Sequence, residues 1–239
     1  SYVLGASHFE TRGYRDHSTA ERNVGNVKLG LRLDATSRLT LLANSVALPR
    51  AQDPLGLTRV LFDADPRGVD PAALQFDTRK SVAQSQFGLI YERRIDPANT
   101  LRAMVYAGHR STEQYQAIPV ATQAGPLHPG GVIDLASNYS GLDLRWTTRG
   151  TLAERPYTIV AGLAVDSLEQ QRRGFQNHVG TGASQQLGVR GALRRDELDT
   201  AGNTDQYVQA TLQLAPAWSL SAGVRHSSVR VASADRYIV

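Results

Sequence analysis

The chain has no cysteine, a single methionine and only two lysines among its 239 residues. Without cysteine it can form no disulfide, no thiolate metal site and no cysteine nucleophile. The six histidines show neither HxH nor HExxH spacing, and the sequence contains no GxSxG elbow and no phosphate-binding loop. We therefore predict that the protein is not an enzyme and holds no cofactor and no resident metal.

Long hydrophobic runs are also missing. No apolar stretch approaches the roughly 20 residues of a membrane-spanning helix, and the most apolar segment, residues 157–165, is only long enough for a strand. The formal net charge of +4 is carried mostly by arginine and is scattered without a basic stripe or interleaved aromatic residues. This distribution argues against nucleic acid as a partner.

The sequence does contain a hairpin unit, two alternating segments joined by a short polar turn, that recurs four times. The clearest example spans residues 205–231. In its first arm Val208, Ala210, Leu212 and Leu214 alternate with Tyr207, Gln209, Thr211 and Gln213. In its second arm Trp218, Leu220, Ala222 and Val224 alternate with Ser219, Ser221, Gly223 and Arg225. A period of two residues predicts strands with one apolar and one polar face.

The same pattern along the chain predicts an all-β fold of nine strands in an antiparallel up-and-down meander. The strands are predicted at residues 1–10, 24–33, 38–47, 82–95, 100–116, 137–149, 155–170, 205–214 and 218–231. Short turns near residues 35, 97, 152 and 216 alternate with long loops at residues 11–23, 48–81, 117–136 and 171–204. Loops of this length are usually functional.

Short turns at one end and long loops at the other are typical of a transmembrane β-barrel, with lipid outside and a polar lumen inside. We expect the lipid-facing stripe to contain Phe87, Leu89, Tyr91, Leu142, Leu144, Trp146, Tyr157, Ile159, Ala161, Leu163 and Val165. Aromatic residues near the short turns, namely Tyr91, Trp146, Tyr157 and Trp218, would form a girdle. The lumen would be lined by Arg32, Gln86, Glu92, Arg102, Asp143, Arg145, Gln209 and Arg225.

An odd number of strands does not close into a bacterial single-chain barrel, and both terminal strands would leave an unpaired edge. We therefore expect residues 1–239 to form part of a larger barrel. The edge strands could also be paired in two other ways, by a homodimer joined through them or by closure into a smaller sheet.

Several segments together resemble the TonB-dependent outer-membrane receptors, in the branch of siderophore and iron receptors. They are GYRDHS at 13–18, ERN at 21–23, NVKL at 26–29, AQDPLGLT at 51–58, YQAIP at 115–119, PLHPGGV at 126–132 and SAGVRHS at 221–227. The ordered set covers most of the chain and is more specific than any single segment.

This resemblance implies a barrel of about 22 strands that encloses a plug domain, of which residues 1–239 are part of the barrel domain without the plug. It also implies a Gram-negative outer-membrane location and contact with outer-membrane lipid. The partners it implies are a ferric siderophore or another metal chelate, which arrives as cargo, and the receptor's own plug and TonB in the full-length protein.

The predicted ligand-binding residues belong to the outer loops and their bases. They are Tyr14, Arg15 and His17 in the first loop, Arg110, Tyr115 and Gln116 at the end of an ascending strand, and Arg172, Arg173 and Phe175 at the base of a later loop that also contains Arg194 and Arg195. Arginine binds carboxylate and catecholate oxygens through paired donors, and aromatic rings stack on catechols. These residues could also solvate the loops or bind lipopolysaccharide phosphates.

Three other classes are compatible with parts of the pattern. They are a passive porin-like channel, an adhesion barrel, and a soluble β-sandwich binding module. The sandwich predicts that the stripe of Val208, Ala210 and Leu212 faces a second sheet.

Overall fold

The computed structural model describes residues 1–237 as one open antiparallel sheet of nine strands with small elements in its connections. Across the sheet the strands are β1 (Tyr2–Thr11), β2 (Ala20–Arg32), β3 (Ser37–Gln52), β4 (Arg79–Arg94), β5 (Asn99–Tyr115), β6 (Val132–Leu152), β7 (Arg155–Phe175), β10 (Leu193–Ala215) and β11 (Trp218–Asp235). A separate hairpin of β8 (His178–Val179) and β9 (Gln186–Leu187) lies between β7 and β10. The predicted meander is confirmed.

Three short α-helices and a 3₁₀ turn lie in the long connections. They are α1 (Arg59–Ala64), α2 (Pro71–Gln75), α3 (Val120–Gln123) and the 3₁₀ turn Gly182–Ser184. Helix α2 begins after Asp70, whose carboxylate accepts a hydrogen bond from the Ala72 amide at 2.8 Å, and proline stands at its first position. The connection that contains α2 is therefore ordered in part by this cap.

Several strands are longer than the sequence predicts. Strands β6 and β7 have 21 residues each and β10 has 23, so they take in residues 132–136, 171–175 and 193–204, which the sequence assigns to loops. The extensions at 171–175 and 193–204 carry polar side chains on both faces, and residues 132–136 are mostly apolar on both, so none of them shows the alternation that marks a strand. Backbone pairing continues there, supported by cross-strand contacts such as the Arg173–Asp134 ion pair at 3.0 Å.

The register places the side chains on two faces, because directly paired residues of neighbouring strands point to the same side. Leu89 pairs with Leu41 and Val105, and the row continues through Leu142 to Val165. The predicted apolar stripes thus share one face, which we call the outer face. The eight residues predicted to line a lumen share the opposite one, the inner face.

The two faces differ in crowding. Thr40, Thr112 and Ser137 are buried on the inner face, whereas Phe87 on the outer face is 69% exposed. Within residues 1–237 no second sheet packs on the nine strands, so the sandwich expectation is wrong. The few buried apolar side chains lie at the loop end of the sheet and in its connections: Ala73, Phe76, Tyr115 and Val132.

The apolar residues of the outer face form a continuous belt, bounded at the short-turn end by Tyr91, Trp146, Tyr157 and Trp218. The row of paired residues that starts at Tyr91 reaches β11 at His226, eight residues away from Trp218. The belt therefore crosses the strands diagonally. With about 3.3 Å per residue and about 4.8 Å per strand, eight residues over five strand spacings correspond to a tilt of about 45°.

Tyrosine rings cover glycines on the inner face. Tyr139 lies over Gly108 and Tyr106 lies over Gly141, so close that a Cβ on either glycine would overlap the ring. The Tyr106 hydroxyl donates to Asp166 at 2.5 Å and the Tyr139 hydroxyl to Gln86 at 3.1 Å. Glycine is needed at these strand positions because the ring occupies the space of a side chain.

Two of the short turns are closed by aspartates. The Asp34 carboxylate accepts from the Thr36 amide at 2.7 Å and from the Thr36 hydroxyl at 2.8 Å. Asp96 accepts from the amides of Ala98 and Asn99, both at 2.8 Å. These hydrogen bonds, above all that of the Thr36 amide, lower the pKa of Asp34 to about 2, and the Asn99 side chain lowers the pKa of Asp96.

We expect Asp34→Asn to weaken the protein in a pH-dependent way. The ionised Asp34 stabilises the fold fully above its unfolded-state pKa near 4, and this contribution is lost as the pH falls through the folded-state pKa of about 2, below which the carboxyl is protonated in both states. The urea midpoints of the full-length wild type and variant in detergent should differ at pH 6 and converge near pH 2. A difference that does not change between pH 6 and pH 2 would contradict this expectation.

Candidate ligand site at the loop end of the sheet

Four connections meet at the loop end, at residues 12–19, 53–78, 116–131 and 176–192. The first is fixed to the second by Arg15, whose guanidinium donates to the carbonyls of Gly68 at 2.8 Å, Leu55 at 2.6 Å and Pro54 at 3.2 Å. Arg15 thus holds two loops together, and its donors are not free for a ligand.

His17 is also a structural residue. Its Nε2 lies 2.9 Å from the Thr78 carbonyl and 3.7 Å from an Asp77 oxygen, and its side chain is 7% exposed. Tyr14 remains accessible at 67% exposed, with the guanidinium of Arg67 5.3 Å from the centre of its ring. Of the predicted residues of the first loop, only Tyr14 offers a free surface.

We expect Arg15→Ala to release the first two loops from each other. Charge-assisted hydrogen bonds contribute about 1.5–3 kcal/mol each in favourable cases, so cleavage within residues 53–78 by protease added to the purified protein should rise by at least roughly tenfold. Arg12→Ala is the matched control, because the exposed Arg12 side chain has no hydrogen bond or ion pair within residues 1–237. Equal cleavage of the two variants would show that Arg15 does not hold the loops.

The third and fourth connections are joined by two fully buried amides, Gln123 and Asn177. Gln123 Nε2 donates to Asn177 Oδ1 at 2.5 Å, and Gln123 Oε1 accepts from the Asn177 backbone N–H at 3.1 Å. Asn177 Nδ2 donates to the carbonyls of Gln116 at 2.7 Å and Ile118 at 3.2 Å. Gln116 therefore takes part in this network through its backbone carbonyl.

Tyr115 lies on the outer face in the row of Arg79, Val132 and Phe175. The Arg79 guanidinium stacks on the Tyr115 ring at 3.5 Å from the ring centre, and that of Arg190 lies 4.5 Å from the centre of Phe175. Burial and the adjacent Glu113 carboxylate raise the pKa of the Tyr115 hydroxyl. The rings of Tyr115 and Phe175 are thus covered by cations of the protein itself.

The charges of this outer-face cluster are internally balanced. Arg173 pairs with Asp134 at 3.0 Å, and Arg190 pairs with Glu113 at 2.7 Å and with Asp134 at 3.0 Å. Arg79 pairs with Asp77 at 2.8 Å. The cluster holds strand ends and loops together and leaves little charge for a ligand.

Arg110 and Arg172 lie on the inner face and differ from the cations described so far. Both are exposed, and neither has an ion pair or side-chain hydrogen bond within the described residues. Arg110 on β5 pairs in register with Ser137 on β6, and Arg172 on β7 pairs with Leu135, two residues before Ser137 on the same strand. Two strand spacings and two residues separate them, which places their Cα atoms about 12 Å apart.

Lys80 joins them on the inner face. It lies in β4, pairs with Gln114, and has no ion pair within residues 1–237. Lys80 is not among the residues predicted from the sequence, although its even number places it on the side of Gln84 and Gln86 in β4. This parity was the signal that could have identified it.

Acidic residues near these cations lie on β10. Glu197 pairs in register with Arg172, but its carboxylate is bound by Arg195 at 3.0 Å. Asp199 lies in the row of Arg110, three strands away from it. The inner face at the loop end therefore presents cations with free donors.

The structure corrects the location of part of the predicted site. Arg172, Arg173 and Phe175 lie within β7, and Arg194 and Arg195 lie within β10, whereas the sequence places them at the base of a loop or within it. Arg194 donates to the carbonyls of Gly125 at 2.5 Å and Pro126 at 3.3 Å and so fixes the third connection. The structure brings Arg110 and Arg172 together and turns Tyr115, Arg173 and Phe175 to the opposite face.

No cluster of three or more His, Asp or Glu side chains suited to a metal occurs in residues 1–237. None of the helices in that part of the chain has the length and apolar character to cross a membrane. The chemistry that the inner face offers is the binding of anionic groups.

An open antiparallel meander with an apolar outer face and a polar inner face has the features of a section of the wall of a β-barrel. The family model "TonB dependent receptor-like, beta-barrel" matches residues 8–238. The chain belongs to this family, and its structural neighbours are transport receptors and not enzymes.

Three solved structures show the same fold at low sequence identity. The ferric citrate transporter FecA in its unliganded form superposes with a TM-score of 0.78 at 16% identity, over 98% of this chain and 35% of that one. The ferric-catecholate import receptor Fiu from E. coli K12 gives 0.73 at 12%, over 98% and 41%. BauA, the ferric preacinetobactin receptor from Acinetobacter baumannii, gives 0.72 at 12%, over 97% and 37%. The chain spans about two-fifths or less of these receptors.

Proposed function

We propose that the chain is part of the barrel of an outer-membrane receptor that takes up a ferric siderophore or a similar metal chelate with energy supplied through TonB. The family and its structural neighbours support this proposal. The observation that carries it is that the paired and the unpaired cations at the loop end lie on different faces of the sheet. Those on the outer face are paired, whereas Lys80, Arg110 and Arg172 on the inner face are not.

The apolar belt supports a membrane location. If the belt lies flat in a bilayer, its diagonal course tilts the strands by about 45°, at the upper end of the range of outer-membrane barrels. The polar atoms of the girdle residues Trp146 and Tyr91 bind residues at the short-turn end. Trp146 Nε1 donates to the Asn99 side chain at 3.1 Å, and the Tyr91 hydroxyl donates to the Ser37 hydroxyl at 3.4 Å. Amphipathic rings with such contacts suit a lipid–water interface.

In this proposal the short turns face the periplasm and the four long connections face the exterior. Anionic chelates would enter from the loop end and meet the free cations of the inner face. A plug domain would lie deeper against the inner face, where much of the charge is already neutralised by pairs such as Arg102 with Asp143 at 3.0 Å. Further strands would pair with the free edges of β1 and β11, which leaves no edge for a homodimer.

Uptake of iron chelates in a Gram-negative host tests the proposal. A strain without the full-length gene would be grown under iron limitation with a panel of ferric siderophores and simple chelates. We expect loss of growth on one chelate, restored by the gene but not in a strain that lacks TonB. Undiminished growth on every chelate would refute the proposal for iron.

A passive channel would give a different result in the same strains. Uptake through a porin-like barrel continues without TonB and rises in proportion to the chelate concentration. Saturable uptake that stops when TonB is removed would exclude this alternative.

A further inference from the structure

We infer that the inner face at the loop end selects chelates that present carboxylates, and that Arg110 and Arg172 bind two carboxylates of the same chelate. This inference rests on the proposed function and narrows its substrate class. It starts from the two free guanidinium groups, which are exposed on one face with about 12 Å between their Cα atoms.

The guanidinium group sets the chemistry of the ligand. Its planar fork of N–H donors matches the two oxygens of a carboxylate, and it remains charged at every physiological pH. Two such groups, each on a flexible side chain several ångströms long, can contact opposite sides of a compact chelate. Lys80 on β4 adds a third positive charge on the same face and increases the attraction for a multiply charged anion.

The neighbours of the two arginines also favour carboxylates and hydroxyls over aromatic rings. Gln84 lies directly opposite Arg110, and Gln170 and Ser137 lie in the same row, with Gln170 Nε2 donating to the Ser137 hydroxyl at 2.8 Å. Amides and hydroxyls of this kind can bind the polar substituents of a small hydroxy acid. The rows that hold the free cations on β4 to β7 contain no aromatic residue on the inner face.

Aromatic residues at the same level face away from this site. Tyr115 and Phe175 lie on the outer face, and Arg79 and Arg190 cover their rings. The closest inner-face ring in register, Tyr139, lies one row deeper and is packed over Gly108 with its hydroxyl on Gln86. A catecholate, whose rings would need stacking partners beside the cations, therefore fits this level of the site less well than a carboxylate.

The experiment measures binding of three isotopically labelled iron complexes to the purified full-length receptor by equilibrium dialysis. They are ferric citrate as the polycarboxylate, a neutral ferric trihydroxamate and a ferric tris-catecholate. We expect the polycarboxylate complex to bind most tightly. Arg110→Gln and Arg172→Gln should each raise its dissociation constant by at least roughly tenfold, as expected when a charge-assisted pair is lost.

The matched control is Arg230→Gln. Arg230 is an exposed arginine on the outer face of β11 that also has no ion pair within residues 1–237, so its replacement changes the net charge equally. Arg230→Gln should leave the dissociation constant unchanged. Arg110→Lys, which keeps the charge but not the fork, should fall between wild type and Arg110→Gln and thereby exclude misfolding as the cause.

Three results would overturn the inference. If the trihydroxamate or the tris-catecholate binds more tightly than the polycarboxylate, the substrate class is wrong while the proposed function stands. The same holds if Arg110→Gln and Arg172→Gln bind the polycarboxylate as tightly as Arg230→Gln does. If none of the three complexes binds, the proposed uptake of iron chelates fails as well.

Discussion

Replacing Asn177 with alanine should loosen the loop end by about 3 kcal/mol or more. The change removes the Nδ2 group that donates to the carbonyls of Gln116 and Ile118, and the Oδ1 acceptor of Gln123 Nε2. The Gln116 carbonyl would lose this donor, at about 1–3 kcal/mol for a buried group without a partner, and two further hydrogen bonds of about 1 kcal/mol each would be lost. The Ile118 carbonyl and Gln123 Nε2 keep their hydrogen bond to each other at 2.7 Å. Hydrogen exchange of the Gln116 and Gly131 amides in the full-length protein should accelerate by roughly a hundredfold or more.

Asn138→Ala is the control for this experiment. Asn138 is exposed on β6, and its one side-chain hydrogen bond within residues 1–237 joins its Oδ1 to His109 Nδ1 at 2.8 Å. Its replacement should change exchange at the loop end by less than a factor of about two, because exposed substitutions of this type change stability little. Equal exchange rates in the Asn177→Ala and Asn138→Ala proteins would show that the buried amides do not join the two connections.

The second large effect is expected from a single methyl group on the inner face. Gly141→Ala places a Cβ where the Tyr106 ring lies, and the ring is held in position by the hydrogen bond of its hydroxyl to Asp166. Overpacking of this kind costs about 1–3 kcal/mol. The urea midpoint of the full-length protein in detergent should fall accordingly.

Gly202→Ala provides the matched comparison. Gly202 also lies within a long strand, but only the Asp166 carbonyl oxygen, at 3.9 Å, is near the position of its added Cβ. This variant should equal the wild type or exceed it by up to about 1 kcal/mol, because alanine restricts the unfolded chain. In the double variant Tyr106→Ala/Gly141→Ala the penalty of Gly141→Ala should disappear, and its persistence would contradict the steric explanation.

Much of the fold follows from the alternation of residues along the chain. Leu89, Leu142 and Val165 were assigned to one face from their spacing, and the register confirms it. The four aromatic residues of the girdle also lie on that face near the short turns. These features are local, because a strand turns every second side chain to the same side and short polar turns are encoded by adjacent residues.

The outer strand extensions were not predicted, and the reason is physical. Residues 171–175 and 193–204 carry polar side chains on both faces, so their sequence shows no alternation of apolar and polar positions. Their strand conformation comes from backbone hydrogen bonds to neighbouring strands, and such pairing depends on partners that the local sequence does not identify.

The sequence by itself determined the class of this protein, its nine strands and the polarity of its two faces, since period-two alternation acts over a few residues. Only the tertiary structure decided which charged residues of the predicted site are free. Arg15, Arg173 and Arg110 are the same residue type but differ in their partners. Arg15 binds carbonyl groups 39–53 residues away in the sequence, and Arg173 binds a carboxylate 39 residues away. Arg110 has no side-chain partner within the described residues. A cation is available to a ligand only if no residue distant in the sequence pairs with it. Whether such a residue is close depends on the packing of loops that come together only in the folded sheet.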